Sequence, residues 1–159
     1  MSEFVIRPVQ PGEEAVLRDL ILELADYEQL RHEVVLQAED LHRDLFTSPK
    51  AYAVLGLEEG VPVGFALWFY NYSTFRGHKG LYLEDLYVQP AHRGKGYGKA
   101  LLMHLVRLAK HEGCGRMEWS VLNWNAPAIA FYESLGAMPM KEWTVYRLDE
   151  QGIAGLCAG

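Results

Sequence analysis

The apolar residues near the N-terminus follow first a strand pattern and then a helical one. Residues Glu3 to Val9 alternate enough to predict an opening strand, and Pro11-Gly12-Glu13-Glu14 then begins a helix. That helix carries apolar residues at helical spacing, namely Val16, Leu17, Leu20, Ile21 and Leu24. A second, short helix is predicted from Gln37 to Phe46. It ends before Ser48-Pro49, because a residue that precedes proline disfavours helical backbone.

The remaining chain alternates between β-prone runs and amphipathic segments. Strands are predicted at Ala51 to Leu57, Val61 to Tyr72, Leu81 to Val88, Arg116 to Leu122 and Trp143 to Leu148, with a further short strand weighed at Ala137 to Met140. Helices are predicted at Tyr97 to His111 and at Ala126 to Ser134. Gly113 ends the first of these helices, whereas Asn125 caps the second and Pro127 lies in its first turn.

This order of elements, β-α-α-β-β-β-α-β-α-β, predicts an α/β fold with a mixed sheet and helices on both faces. The 159 residues suit one domain, residues 1–159, and no linker, repeat or low-complexity segment divides them. Half of the residues are hydrophobic, which is enough for a full core.

The charge balance is acidic, with 15 Lys plus Arg against 21 Asp plus Glu and a formal charge of −6. Such a surface repels nucleic acid and anionic lipid and mildly attracts cations, although acidity also serves solubility alone. Cys114 and Cys157 form no metal or disulfide pattern, and no histidine spacing implies a metal. The strand-like Met1 to Val9 is unlike a signal peptide, and no apolar run is long enough to span a membrane, so a cytoplasmic protein is expected.

A glycine-rich turn stands between the predicted strand at Leu81 to Val88 and the helix that follows it. The turn reads Arg93-Gly94-Lys95-Gly96-Tyr97-Gly98, and it offers several backbone N–H groups at the positive end of a helix dipole. It is not a P-loop, because Ala100 follows Gly98-Lys99, and it is not a dinucleotide fingerprint, because Lys99 replaces the third glycine. The turn either binds an anion such as a pyrophosphate or is only a tight connection.

The spacing R-x-x-G-x-G of Arg93, Gly96 and Gly98 resembles the acyl-CoA pyrophosphate loop of the GNAT superfamily of N-acetyltransferases. The segment from Asn125 to Ala137 resembles the family's "N…A…FY…LGA" helix, which flanks the pantetheine arm of the cofactor. The order of elements matches as well, so the resemblance covers nearly the whole chain. It implies the GNAT fold, with a mostly antiparallel central sheet, and acetyl-CoA as the co-substrate.

Shorter motifs resemble two branches of that family. Leu83-Glu84-Asp85, Asn123-Trp124-Asn125 and Ala25-Asp26-Tyr27-Glu28 resemble the diamine (spermidine/spermine) acetyltransferases. The runs Tyr72 to Gly77 and Val121 to Asn125 resemble the thialysine Nε-acetyltransferase branch more closely. The polyamine branch has Asp-Pro where Ser73-Thr74 stands here, which removes one ammonium contact. The acceptor therefore stays open between a diamine, a polyamine and a lysine-like amine.

Acetyl transfer to an amine asks for a base and an acid. Only about one alkyl amine in a thousand is neutral at pH 7.4, so deprotonation costs about 4 kcal/mol. Glu84 is the candidate base, directly or through a water, and Tyr132 is the candidate acid for the leaving thiolate, as the resemblance also implies. The alternatives are a solvated strand-face carboxylate for Glu84 and a core tyrosine with a surface hydroxyl for Tyr132.

The resemblance implies two further sets of residues. The cofactor would contact the strand end, the turn and the later helix at Leu86, Tyr87, Val88, Arg93, Gly94, Lys95, Gly96, Tyr97, Gly98, Lys99, Asn125, Pro127 and Ala128. The amine would contact Tyr27, Glu28, Glu84, Asp85 and Trp124. Arg76 and Lys79 suit a substrate carboxylate, although a solvated basic loop is the simpler interpretation.

The expected activity is direct transfer from acetyl-CoA to a small primary amine in a ternary complex, because no cysteine is placed as an acyl carrier. The resembling enzymes are homodimers, so a homodimer is expected. Two alternatives stay open: an enzyme of the same fold that acetylates protein N-termini or lysines, and a CoA-binding sensor module without turnover.

Overall fold

The computed structural model describes residues 2–158, and the chain divides into two compact units. The first unit extends to Ser120 and contains every strand of the described residues, whereas the second begins at Val121 and contains two helices. None of the helices within residues 2–158 combines the length and the apolar character that crossing a bilayer requires.

The first unit is built on a five-stranded sheet. Its strands lie side by side in chain order: β1 (Phe4–Pro8), β2 (Tyr52–Glu58), β3 (Val61–Ser73), β4 (His78–Val88) and β5 (Met117–Trp119). Neighbouring strands are antiparallel, except that β4 and β5 are parallel. The helices of this unit are α1 (Glu14–Tyr27), α2 (Ala38–His42), which continues as a π-helical turn at Arg43–Thr47, and α3 (Tyr97–His111), with short 3₁₀ turns at Arg31–Glu33 and Pro90–His92.

Helices cover both faces of this sheet, as the sequence predicts. One buried cluster joins α1 and α2 to alternate positions of β2 and to β3 and β4: Val9, Leu17, Leu20, Leu24, Leu41, Ala53, Leu55, Leu57, Phe65 and Tyr87. Because side chains alternate across a strand, Gly56 points to the opposite face. A β-carbon there would lie 3.7 Å from Leu101 of α3, whose apolar side chains Leu101, Leu102 and Leu105 are fully buried.

The second unit contains α4 (Ala126–Ser134) and α5 (Glu150–Cys157). The predicted helix from Ala126 to Ser134 is confirmed, but the predicted strands at Trp143 to Leu148 and at Ala137 to Met140 are wrong. A strand is stable only beside a hydrogen-bonded neighbour, and these residues have no ladder partner within residues 2–158. The helix α5 was not predicted, although Asp149 is an N-cap signal and its Oδ1 accepts a hydrogen bond from the Gly152 N–H at 2.8 Å.

Gly64 allows β3 to approach the end of β4 closely. It pairs with Val88, the last residue of β4, and a β-carbon at Gly64 would lie 2.6 Å from the carbonyl oxygen of Tyr87. Atoms that are not bonded do not tolerate this separation, so a larger side chain would displace the strand end. Glycine at this position therefore helps to place the strand that leads into the glycine-rich turn.

We predict that Gly64→Ala lowers the free energy of unfolding by roughly 1–3 kcal/mol, because the added methyl group forces β3 and β4 apart. Urea denaturation measures the change. Gly155→Ala is the matched control, since nothing lies within 4 Å of a β-carbon at Gly155 and its helix favours alanine. Equal unfolding free energies for Gly64→Ala and the unsubstituted protein would contradict the prediction.

Candidate active site

Glu84 lies at a β-bulge in β4. Leu67 of β3 pairs with Asp85, and the next residue, Trp68, pairs with Leu83, so Glu84 is the extra residue of its strand. A bulge bends a strand and redirects the side chains around it. Glu84 is exposed and Asp85 is partly buried. The directions of their carboxylates follow from this bulge. The sequence predicts the strand at Leu81 to Val88 correctly but contains no signal for the bulge.

Three carboxylates of the first unit influence each other near the bulge. Burial raises the pKa of Asp85 to about 7, and the negative charges of Glu84 and Glu28 act in the same direction. Burial also raises the pKa of Glu28, again with the help of Glu84. The structure thus brings together Glu28, Glu84 and Asp85, which the sequence predicts as ligands of the amine. Neighbouring carboxylates that resist full ionisation together favour a bound cation.

The edge of β4 is open beyond the bulge. The ladder between β4 and β5 joins only Leu81–Leu83 to Met117–Trp119, whereas β4 extends to Val88. On the other side, Asp85 to Val88 remain paired with β3. Main-chain N–H and C=O groups on the β5 side of Leu86, Tyr87 and Val88 therefore lack a neighbouring strand among the described residues. The Val88 carbonyl oxygen accepts a hydrogen bond from Arg93 Nε, and the other groups of this edge are available to a ligand.

The glycine-rich turn follows directly after β4 and Pro90–His92. Gly94 and Gly96 have φ angles of 79° and 83°, which favour glycine, and nothing lies within 4 Å of a β-carbon built on either residue. Gly96 is the N-cap of α3 and has no side chain to accept a hydrogen bond from the helix. The first amides of α3 therefore point towards open space, as an anion site at a helix start requires.

Arg93 connects the turn to two other elements. Its Nε donates a hydrogen bond to the carbonyl oxygen of Val88 at 3.0 Å. Its guanidinium carbon lies 4.7 Å from the ring centroid of Tyr27, at the end of α1, and 5.8 Å from that of Tyr87. The side chain of Arg93 thus holds the turn against β4 and α1. It also brings a predicted amine contact, Tyr27, next to the predicted cofactor turn.

Tyr87 is buried, and its hydroxyl donates a hydrogen bond to Oε1 of Glu23 at 3.2 Å. Burial raises the pKa of Tyr87 to about 12, and the charge of Glu23 adds to the effect, so the phenol stays protonated. Gln89 donates to the other oxygen of Glu23 at 3.3 Å. Glu23 therefore holds Tyr87 and Gln89, the two residues on either side of Val88, where β4 ends. The sequence contains no signal for this role of Glu23.

Glu58 is a second residue that the sequence analysis missed. It ends β2, and its carboxylate accepts hydrogen bonds from Lys95 at 3.0 and 3.2 Å and contacts His92 Nδ1 at 2.5 Å. Its local context, Glu58-Glu59-Gly60, is that of an exposed hairpin turn. Nothing in that context indicates a buried carboxylate, because its partners lie far away in the chain.

Two residues near the β3–β4 connection differ from their expected surroundings. Ser73 is buried, and its Oγ accepts a hydrogen bond from the Arg76 N–H at 3.2 Å, so it shapes the turn that replaces the Asp-Pro of the polyamine branch. Lys79 donates to Glu112 at 3.0 Å and lies over the ring of Tyr70. A role for Lys79 in binding a substrate carboxylate would compete with this ion pair.

The remaining predicted site residues belong to the second unit. The buried Asn125 caps α4, since its Oδ1 accepts a hydrogen bond from the Ala128 N–H at 3.3 Å, and Pro127 occupies the first turn. Tyr132 is partly buried, and its ring centroid lies 5.6 Å from that of Phe131. Trp124 is 53% exposed. The site roles that the sequence assigns to Asn125, Pro127, Tyr132 and Trp124 stay predictions.

Comparison with known proteins agrees with this geometry. A family model described as "Acetyltransferase (GNAT) family" matches residues 17–137. The chain is 33% identical to the thialysine N-epsilon-acetyltransferase of Bos taurus over an alignment of 168 residues. This alignment covers 98% of both chains. The chain is 42% identical over 125 residues to the L-ornithine N5-acetyltransferase NATA1 of Arabidopsis thaliana, which covers 79% of this chain and 52% of that protein.

A solved structure shares the fold over nearly the whole chain. An integron cassette protein of V. cholerae superposes with a TM-score of 0.81 at 25% identity and covers 98% of each chain. The family match extends over most of the first unit and into the second, through α4. The chain therefore belongs to the GNAT family and is an N-acetyltransferase.

Proposed function

We propose that this protein transfers the acetyl group of acetyl-CoA to a primary amine of a small molecule, by direct attack of the amine in a ternary complex. One observation carries this proposal: β4 presents an acidic bulge and an open main-chain edge, and the glycine-rich turn connects it to an uncapped helix start. The acidic bulge suits a cationic acceptor, and the helix start suits an anionic donor.

The residues of the turn fit the coenzyme. The open space around Gly94 and Gly96 admits a diphosphate, and the amides from Gly94 to Lys99 supply its hydrogen bonds. The unpaired edge at Leu86, Tyr87 and Val88 suits the amide groups of a pantetheine arm. When bound, acetyl-CoA supplies a reactive thioester, and a main-chain N–H of this edge stabilises the charge that develops on the thioester oxygen.

The acidic residues suit the acceptor. Glu28, Glu84 and Asp85 attract an ammonium group, and the aromatic rings of Tyr27 and Trp124 add cation–π attraction. Glu84 then removes a proton, directly or through a water, because the attacking amine must be neutral. By their names, the similar enzymes of Bos taurus and Arabidopsis thaliana act on side-chain amines of amino acids. We therefore place lysine-like and ornithine-like amines first among the acceptors.

Tyr132 donates a proton to the leaving thiolate in this proposal, on the strength of its position in the motif Asn125 to Ala137. A phenol has a pKa near 10, which is suited to that step. An acyl-cysteine intermediate is disfavoured, because burial raises the pKa of the Cys114 thiol and so lowers its nucleophilic fraction at neutral pH. We further propose that residues 1–159 act as one catalytic domain, in a cytoplasmic homodimer.

We predict that the protein releases free thiol from acetyl-CoA when a primary amine is present. Thialysine, lysine, ornithine, putrescine and spermidine form the panel, and a thiol reagent follows the release. Reactions without amine, and with alcohols of the same length, are the controls. Release with a peptide N-terminus or a peptide lysine alone would favour a protein acetyltransferase, and coenzyme binding without any release would favour a sensor module.

We predict that Tyr132→Phe lowers kcat by roughly 10²–10⁴-fold and changes the affinity for CoA little, because only the proton donor is lost. Steady-state kinetics and calorimetric titration with CoA separate the two effects. Tyr146→Phe is the matched control, because it removes the hydroxyl of a residue in the same unit that is 91% exposed. If Tyr132→Phe retains full activity, the role assigned to the phenol is wrong.

We predict that Asp85 makes amine binding depend on pH. Since its pKa is about 7, its negative charge develops between pH 6 and pH 8, and the KM for a cationic amine should fall over this range. Asp85→Asn removes this dependence and raises the KM at pH 8. Asp19→Asn removes an exposed charge from α1 and is the control.

The raised pKa of Asp85 also determines how this residue affects the free energy of unfolding. The pKa of Asp85 is higher in the folded chain than the value of about 3.9 for an unperturbed aspartate, so its contribution to stability is present at low pH and lost as the pH rises towards 7. Asp85→Asn should therefore increase the free energy of unfolding at pH 8, by roughly 1–3 kcal/mol. A decrease at pH 8 would contradict the assignment.

A further inference from the structure

Glu58 is an unusual residue in this sheet. Within residues 2–158 it is the one charged side chain that is buried, with 8% of its surface exposed. It lies at the end of β2, where the ladder holds it from both sides through pairs with Phe4 and Val61. A buried carboxylate is costly unless charged partners satisfy it. The identity of those partners indicates what Glu58 does.

Three partners of Glu58 lie at the glycine-rich turn, and Ser2 near the N-terminus is a further hydrogen-bond partner. His92 lies on its N-terminal side, with Nδ1 at 2.5 Å from one carboxylate oxygen, and Lys95 lies inside it, with Nζ at 3.0 and 3.2 Å from the two oxygens. Tyr97 is the residue of the turn at which α3 begins, and its phenol also interacts with Glu58. The ring of Tyr97 is stacked on that of Phe4 at 3.9 Å. One carboxylate thus interacts with His92 before the turn and with Lys95 and Tyr97 within it.

The charge of Glu58 is permanent at physiological pH. The hydrogen bond from Lys95 is the largest of the effects that hold the pKa of Glu58 at about 2. The ammonium group of Lys95 is therefore directed to this carboxylate on the sheet. Gly94 and Gly96 have no side chains and are surrounded by open space, so the turn is held by Arg93, Lys95 and Tyr97.

We propose that Glu58 is a positioning residue, which holds the glycine-rich turn to the end of β2 in the conformation that binds the diphosphate of the coenzyme. This inference rests on the function proposed above. Glycine-rich segments lose much conformational freedom when they are ordered, so anchors outside the turn lower the cost of ligand binding. His92 and Lys95 are the two anchor points, and the rigid β2–β3 hairpin is the support.

An alternative role for Glu58, in which it only neutralises Lys95, predicts the opposite change in the affinity for CoA. If Glu58 only neutralised Lys95, its removal would free a cation next to the phosphates and would tighten coenzyme binding. If Glu58 positions the turn, its removal weakens binding although the site becomes more positive. The sign of the change in the Kd for CoA therefore decides between the two roles.

The experiment is a calorimetric titration of Glu58→Gln with CoA. We expect the Kd to rise roughly tenfold, as the loss of one charge-assisted hydrogen bond predicts, with kcat at saturating acetyl-CoA nearly unchanged. Glu59→Gln removes the same charge from the neighbouring, exposed residue and should leave the Kd unchanged. An unchanged or lower Kd for Glu58→Gln would overturn the inference.

Two further measurements separate positioning from general damage to the fold. The kcat/KM for S-acetylpantetheine, which lacks the diphosphate, should be the same for Glu58→Gln and the unsubstituted protein. If Glu58→Gln does not fold, His92→Phe keeps a ring of similar size but removes the contact with Glu58, and it should weaken CoA binding several-fold. Unweakened binding by that variant would also overturn the inference. Failure of the unsubstituted protein to bind CoA would instead refute the proposed function.

Discussion

The incomplete pairing of β4 is the constraint on which the rest of this structure depends. β3 pairs with β4 to its end, but β5 pairs with it only as far as Leu83. Main-chain polar groups beyond that point need partners, and the protein supplies no strand for them among the described residues. The bulge at Glu84 coincides with the end of the parallel ladder. This short irregular stretch of β4 is where the proposed function places the reaction.

The electrostatics of the first unit separate two kinds of ligand along this strand. Carboxylates of Glu28, Glu84 and Asp85 gather at the bulge, and burial keeps Asp85 close to half-ionised at neutral pH. A few residues later the uncapped start of α3 favours negative charge. Arg93 stands between the two regions, with its guanidinium against Tyr27 and its Nε on Val88. In the proposed function, an amine and a phosphate-bearing donor therefore bind at different positions along one strand.

Membership of the GNAT family leaves the acceptor to be chosen by details of this chain. Ser73 shapes the turn between β3 and β4 by accepting a hydrogen bond from Arg76, and Lys79 is paired with Glu112. These contacts lie on the connection that leads into the strand with the acidic bulge. Glu23 and Glu58 accept charge-assisted hydrogen bonds from Tyr87, Gln89 and Lys95, at the end of β4 and in the glycine-rich turn.

Local patterns in the sequence determined the order of elements up to α4, the glycine-rich turn and its family resemblance. These features depend on side chains a few positions apart, as in Leu101 and Leu105 of α3 or Gly94 and Gly96 of the turn. Tertiary structure alone decided the bulge at Glu84, the raised pKa of Asp85 and the burial of Glu58. These depend on pairing and charge between distant residues, such as Glu58 and Lys95. For the same reason Trp143 to Leu148, although β-prone, formed no strand: its pattern required a neighbour that the described chain does not provide.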